Sequence, residues 1–80
     1  MKSEFEKIMT DVVKFSAIRF AQECRDMNSI EELQAAIESP DVTDMEQWNL
    51  TQAEYIWALE AAIYAITNDA AISDDGRIPL

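Results

Sequence analysis

LTQAEYIWALEAAIYAITN, residues 50–68, contains neither glycine nor proline, and its only charged residues are Glu54 and Glu60. Ile56, Leu59, Ile63 and Ile66 recur at steps of three and four, the spacing of one face of a helix. Thr51 precedes Glu54 by three residues. At that spacing a hydroxyl and a carboxylate each accept one of the free N–H groups of a helix start. Leu50 before the cap and Tyr55 four residues after it are placed to form a hydrophobic staple. A helix is therefore predicted from Gln52 to about Asn68, with room to continue to Ile72.

Tyr55, Trp57, Ala58, Ala61, Ala62, Tyr64 and Ala65 surround the isoleucine stripe, and a helix apolar nearly all round must be covered nearly all round. Only one other long helix is expected in the chain, so a second copy is the natural cover and a symmetric dimer the natural form. Ile56, Trp57, Ala61 and Tyr64 are the candidate self-association residues, and the alanines at 58, 61, 62 and 65 would let helices approach closely. The competing reading has Trp57 and Tyr64 closing the edge of the core with their polar tips in water.

Outward from this segment the same punctuation recurs, as Ser3 with Glu6, Ser29 with Glu32 and Thr43 with Glu46. A first long helix is predicted from about Glu4 to about Met27, on the stripe Phe5, Met9, Val12, Ser16, Phe20, Cys24 and Met27, widened by Ile8, Val13, Phe15, Ala17 and Ile18. A short one runs from Ile30 to about Glu38, ending by Ser39 because Pro40 disfavours helical geometry in the residue before it. Residues 40–50 read as a connector holding at most one turn under the Thr43 box. No apolar/polar alternation bounded by Asn-Gly or Asp-Gly suggests strands. The expected fold is all-α: a small bundle of two long helices and one or two short ones, completed by dimerisation. It forms a single domain over residues 1–72, followed by a mobile tail over 73–80.

A chain of 80 residues has room for one domain and buries only about 60% of its unfolded surface. Its 49% hydrophobic content is too high for a disordered acidic tail, so it is expected to fold. With Cys24 the single cysteine, no internal disulfide can form. No signal-peptide pattern opens the chain, and no apolar run reaches the ~20 residues of a membrane span. The expectation is a soluble, cytoplasmic protein.

Charge is distributed unevenly. Residues 1–25 hold Lys2, Lys7, Lys14, Arg19 and Arg25 against Glu4, Glu6, Asp11 and Glu23, a net of +1. Residues 26–80 hold twelve acids against Arg77, a net of −11, and together these make the formal charge of −10. Glu32, Glu46 and Glu54 complete capping boxes, Asp41 follows Pro40 in a turn, and Glu31 and Asp44 sit in first turns where the helix dipole favours them. Asp26, Glu38, Glu60, Asp69, Asp74 and Asp75 have no such role. Solubility alone is one explanation. Clustering of one sign favours another: phosphates and anionic membranes would be repelled, and a basic protein surface attracted.

The preferred contact patch is residues 41–50 with Glu38 just before it. Carboxylates of Asp41, Asp44 and Glu46 interleave there with Val42, Met45, Trp48 and Leu50, apolar anchors ringed by charge. Glu38, Asp41, Asp44, Met45, Glu46 and Trp48 are the candidate partner-binding residues. The competing reading tucks Trp48 and Leu50 under the bundle.

Catalysis is set aside, because the chain has no histidine, no phosphate-cradling glycine loop and no nucleophile motif. Cys24 on the apolar face reads as a buried, inert thiol. No cofactor is expected, nor a metal, since Asp74-Asp75-Gly76 lacks the alternating oxygen ligands of a calcium loop. The functional expectation is a non-enzymatic acidic protein that docks on a basic, nucleic-acid-handling protein, as an inhibitor or nucleic-acid mimic of the kind found among phage and mobile-element products. The alternatives are a helical assembly or adaptor protein acting through its last helix, and a small-ligand pocket lined by Phe15, Trp57 and Tyr64.

Overall fold

A computed structural model describes residues 15–78, and the expected Ser3–Glu6 cap and the first turns of the first helix lie outside them. The described chain is all-α: α1 (Phe15–Met27), α2 (Ile30–Glu38), α3 (Val42–Gln47) and α4 (Gln52–Thr67). α4 packs on α1 and on α2.

Two of the predicted capping boxes form. Ser29 Oγ accepts from Glu32 N at 3.2 Å while Glu32 Oε1 accepts from Ser29 N at 2.9 Å, and α2 stops at Ser39 before Pro40. Thr51 Oγ1 accepts from Glu54 N at 3.2 Å while Glu54 Oε1 accepts from Thr51 N at 2.8 Å. Leu50 and Tyr55, the expected staple, are both buried members of the core. The Thr43–Glu46 box does not form. Helix α3 starts two residues earlier, capped by Asp41, whose carboxylate accepts from Thr43 N at 2.9 Å and Asp44 N at 3.4 Å. An aspartate at the N-cap satisfies two orphan donors, so Thr43 is taken into the helix itself.

α3 and α4 end alike. Asn49 (φ 55°) and Asp69 (φ 50°) take the left-handed conformation just past the cap. Asn49 N and Leu50 N donate to Glu46 O and Met45 O, and Asp69 N and Ala70 N donate to Ile66 O and Ala65 O. This is the Schellman pattern, made here by Asn and Asp rather than glycine. It stops α4 at Thr67, short of the extension to Ile72 that the apolar composition allowed.

The core also differs from expectation in what covers α4. Ala58, Ala61, Ala62 and Ala65 are wholly buried, as are Ala17 and Ala21 on α1, so small residues line both of two helices that pack on each other within one chain. Ile18, Leu33 and Leu59, from α1, α2 and α4, are each 2% exposed and contribute on the order of 2 kcal/mol apiece. Further cover comes from beyond α4, where Ile72 is buried and Ile78 packs against the core. Residues 73–78, within the expected tail, form a closed turn. Ser73 N donates to Arg77 O, Gly76 N donates to Ser73 O, and Gly76 supplies φ 86°. Two side chains of α1 fasten this lap: Gln22 Nε2 donates to Ile72 O at 2.9 Å and to Asp74 Oδ1 at 3.0 Å, and Arg25 Nε donates to Ala70 O at 2.8 Å. The covering layer underestimated from sequence is therefore α2 together with residues 70–78.

Candidate functional site

An aromatic column positions the 41–50 segment. Phe20 of α1 lies 5.3 Å from the Trp48 ring and 5.4 Å from the Tyr55 ring, tilted against the first and stacked on the second. The Tyr55 hydroxyl accepts a long hydrogen bond from Asp41 N at 3.4 Å. Aromatic packing of this kind contributes roughly 0.5–1.5 kcal/mol per pair beyond area burial. It fixes the end of α3 on α1 and leaves Trp48 half-buried.

The six candidate partner-binding residues divide between two directions. Glu38, Asp41 and Glu46 are exposed, and Asp44 is half-buried. Met45 and Trp48 pack against the core, and Leu50 is buried in it. Apolar anchors ringed by charge is thus a description that fits Val42, 61% exposed, better than Met45 or Leu50. Helical spacing explains the division: Met45 and Trp48, three apart, follow one face toward the core, while Val42 and Glu46, four apart, occupy the other.

Asp44 is felt inside the molecule. Burial pushes the Cys24 thiol up to about 12, with Glu23 and Asp44 adding to the rise by repelling a thiolate. Burial likewise raises the Tyr55 phenol, opposed by its hydrogen bond with the Asp41 backbone, while Asp44 and Asp41 push it further up. A thiol held protonated well above neutral pH is a poor nucleophile.

Of the four candidate self-association residues, Trp57 and Ala61 lie in the chain's own core at 6% and 0% exposure, whereas Ile56 and Tyr64 are half-buried. Among the described residues the Trp57 Nε1 donor is buried without a hydrogen-bond partner, as is Ser16 Oγ. The Trp57 tip therefore does not reach water, contrary to the edge-covering alternative. Of the residues named for a small-ligand pocket, Phe15 is 64% exposed beneath the Arg19 guanidinium, Trp57 is buried in the core, and Tyr64 lines a groove of ≈ 380 Å³ between α2 and α4 with Ile37, Glu60 and Ile63.

Trp48 borders a second groove, of ≈ 450 Å³, whose other lining residues are Arg19, Gln22, Glu23, Asp26 and Met27 of α1 and Asp74 of the C-terminal lap. Met27 is 74% exposed. Two of its carboxylates are oriented by neighbours, Asp74 by Gln22 at 3.0 Å and Asp26 by Arg25 at 3.2 Å. Sequence reading placed Asp26 and Asp74 among acids without a role and did not associate either with Trp48. The polar spacing of Arg19, Gln22, Glu23 and Asp26 along one helical face was visible, but the arrival of Asp74 depends on the folded lap.

Among the described residues, no three of the acids and cysteines gather closely enough to hold a metal ion, and no helix is long and apolar enough to cross a membrane. No family model, curated protein or solved structure matches the chain.

Proposed function

We propose that this is a cytoplasmic, non-enzymatic binding protein that docks through its acidic surface on a basic partner, acting as an inhibitor or nucleic-acid mimic toward a nucleic-acid-handling protein. One observation carries the reading: from Asp26 to Asp75 the chain bears twelve acids and no lysine or arginine. Most of those acids are exposed on short helices and turns whose caps hold them in place. Carboxylates displayed at fixed spacing on helices are suited to the phosphate-binding surface of such a partner, and association of this kind is fast and salt-sensitive. Electrostatics of one sign also argues against direct contact with nucleic acid.

Capture on the immobilised protein at low salt, followed by competition with duplex DNA, tests this. A mimic's partner is a basic protein released both by DNA and by about 1 M salt, where the Debye length is ~3 Å. A partner indifferent to DNA would remove mimicry, and one retained at high salt would remove acidic docking altogether.

The second reading is an assembly or adaptor protein acting through α4, or a homodimer joined there, with the charge serving solubility. Its support is the partly exposed trio Ile56, Ile63 and Tyr64. High salt would preserve or strengthen that contact.

A further inference from the structure

We infer that the groove beside Trp48 receives an extended basic peptide segment, with an arginine or lysine stem laid along Trp48 and Met27 and its charge directed to Glu23, Asp26 and Asp74. The inference rests on the acidic-docking reading above and names both the surface and the chemistry recognised.

Three features of the groove select this occupant. Its lining carries three carboxylates and one cation, Arg19, whose guanidinium lies 5.7 Å from the centroid of the Phe15 ring. With Arg25 paired to Asp26 at 3.2 Å the balance of these groups is still negative, by one charge, and its uncompensated carboxylates are Glu23 and Asp74 against Arg19. The carboxylates come from opposite sides, Glu23 and Asp26 from α1 and Asp74 from the lap, and they are not gathered closely enough for a metal ion among the described residues. Negative charge from two sides of a groove of ≈ 450 Å³ fits a long cationic side chain better than a point ion. Finally, the wall between the charges is apolar and polarizable. Trp48 is half-buried and backed by Phe20, and Met27 is 74% exposed at the end of α1.

An arginine or lysine side chain has this same construction, an aliphatic stem under a charged head. Stems pack on apolar surface while heads remain at the rim. A cation over an indole face gains further attraction. Pre-set geometry matters too: Gln22 donates to Asp74 and Arg25 donates to Asp26, which reduces the side-chain ordering required on binding. A second copy of this chain is a poorer occupant, since two molecules of charge −10 repel.

The test is a titration of the isotopically labelled full chain with a blocked peptide of alternating arginine and alanine at low salt, followed by amide and indole NMR signals. Shifts are expected to centre on the Trp48 indole N–H and on the amides of Glu23, Asp26, Met27 and Asp74, and the citrulline version of the peptide is expected to bind at least several-fold more weakly. The isosteric pair Glu23→Gln with Asp74→Asn should weaken binding by about tenfold, the sum of two exposed charge pairs. Glu31→Gln with Glu60→Gln, the same change in charge away from the groove, should weaken it by less than about twofold.

Equal weakening by the two double variants, or shifts confined to α3, would overturn the groove while leaving acidic docking in place. Equal binding of the citrulline peptide would overturn the charge recognition. Shifts of the groove signals on concentrating the free protein, in place of a peptide effect, would assign the groove to a second copy and overturn the inference. Absence of any shift would sink both the groove and the acidic-docking reading.

Discussion

Helices α3 and α4 lie next to each other in the chain and are stabilised in opposite ways. α4 carries two charges in its sixteen residues and buries eight of them, including Trp57, Leu59 and four alanines; α3 is six residues long and buries none. Tertiary packing holds α4, which is what a long helix with a weakly polarised apolar surface requires. Local hydrogen bonds hold α3, the Asp41 cap at its start and the Asn49 turn at its end, with one ring contact of Trp48 on Phe20 fastening it to α1. Substitutions in α4 should therefore act on the stability of the whole domain, and substitutions in α3 on local order and on whatever the acidic surface binds.

The strongest break in that comparison is Trp57→Ala. It empties a site that is 6% exposed and should cost about 3–5 kcal/mol in urea denaturation, a large part of the stability of a domain this size. A loss below about 1 kcal/mol would mean that α4 is not the centre of the core.

Alkaline pH should come next. Cys24 has its pKa raised from 9.0 to about 12 on folding, so its contribution is fully present below pH 9 and declines as pH rises from 9 through 12. Tyr55, also raised, acts in the same direction above its ordinary value of 10.0. Stability measured by circular dichroism should fall by an amount on the order of 3 kcal/mol across that window, and Cys24→Ala should flatten the fall.

Removing the α3 cap by Asp41→Ala should cost about 1 kcal/mol and speed amide exchange at Thr43 and Asp44 rather than in α4. Asp69→Gly should stabilise by up to about 1 kcal/mol, because glycine adopts φ 50° without strain and an acid is removed from a helix C-terminus. The smallest effect sharpens the contrast: Glu46→Lys, exposed on α3, should leave stability within about ±0.5 kcal/mol while weakening binding to a basic probe at low salt.

Most of the secondary structure was legible because it is written in local chemistry. The Ser29 and Thr51 boxes and the Pro40 stop are contacts over three or fewer residues, and α2 and α4 begin where those signals place them. Where two local signals competed, the reading failed: Asp41 and Thr43 both qualify as caps, and the aspartate, extended at φ −89° and ψ 109°, takes two N–H groups on its carboxylate. Helix ends were harder to read, since Asn49 and Asp69 do the work usually assigned to glycine.

The candidate site was only half legible. Trp48 and the α3 acids could be singled out by residue type, but their partners across the groove could not, because Asp74 reaches it through contacts that no spacing rule encodes. The self-association face was read from all-round apolarity; within the chain α2 and residues 70–78 cover part of it, Trp57 and Ala61 included, while Ile56 and Tyr64 stay partly exposed, and that division depends on contacts no spacing rule encodes.

The fastening of the lap has a consequence for the order of folding. Gln22 and Arg25 bond to Ile72, Asp74 and Ala70 across separations of 45 to 52 residues, the longest side-chain links among the hydrogen bonds described above, whereas the caps close over two or three. Links spanning so much chain bear the greatest loop-closure entropy and form after the helices they join. The groove beside Trp48 gains its Asp74 wall only at that last step, so a chain with its helices formed but its lap undocked would already have most of its circular dichroism signal while still lacking one side of its proposed binding surface.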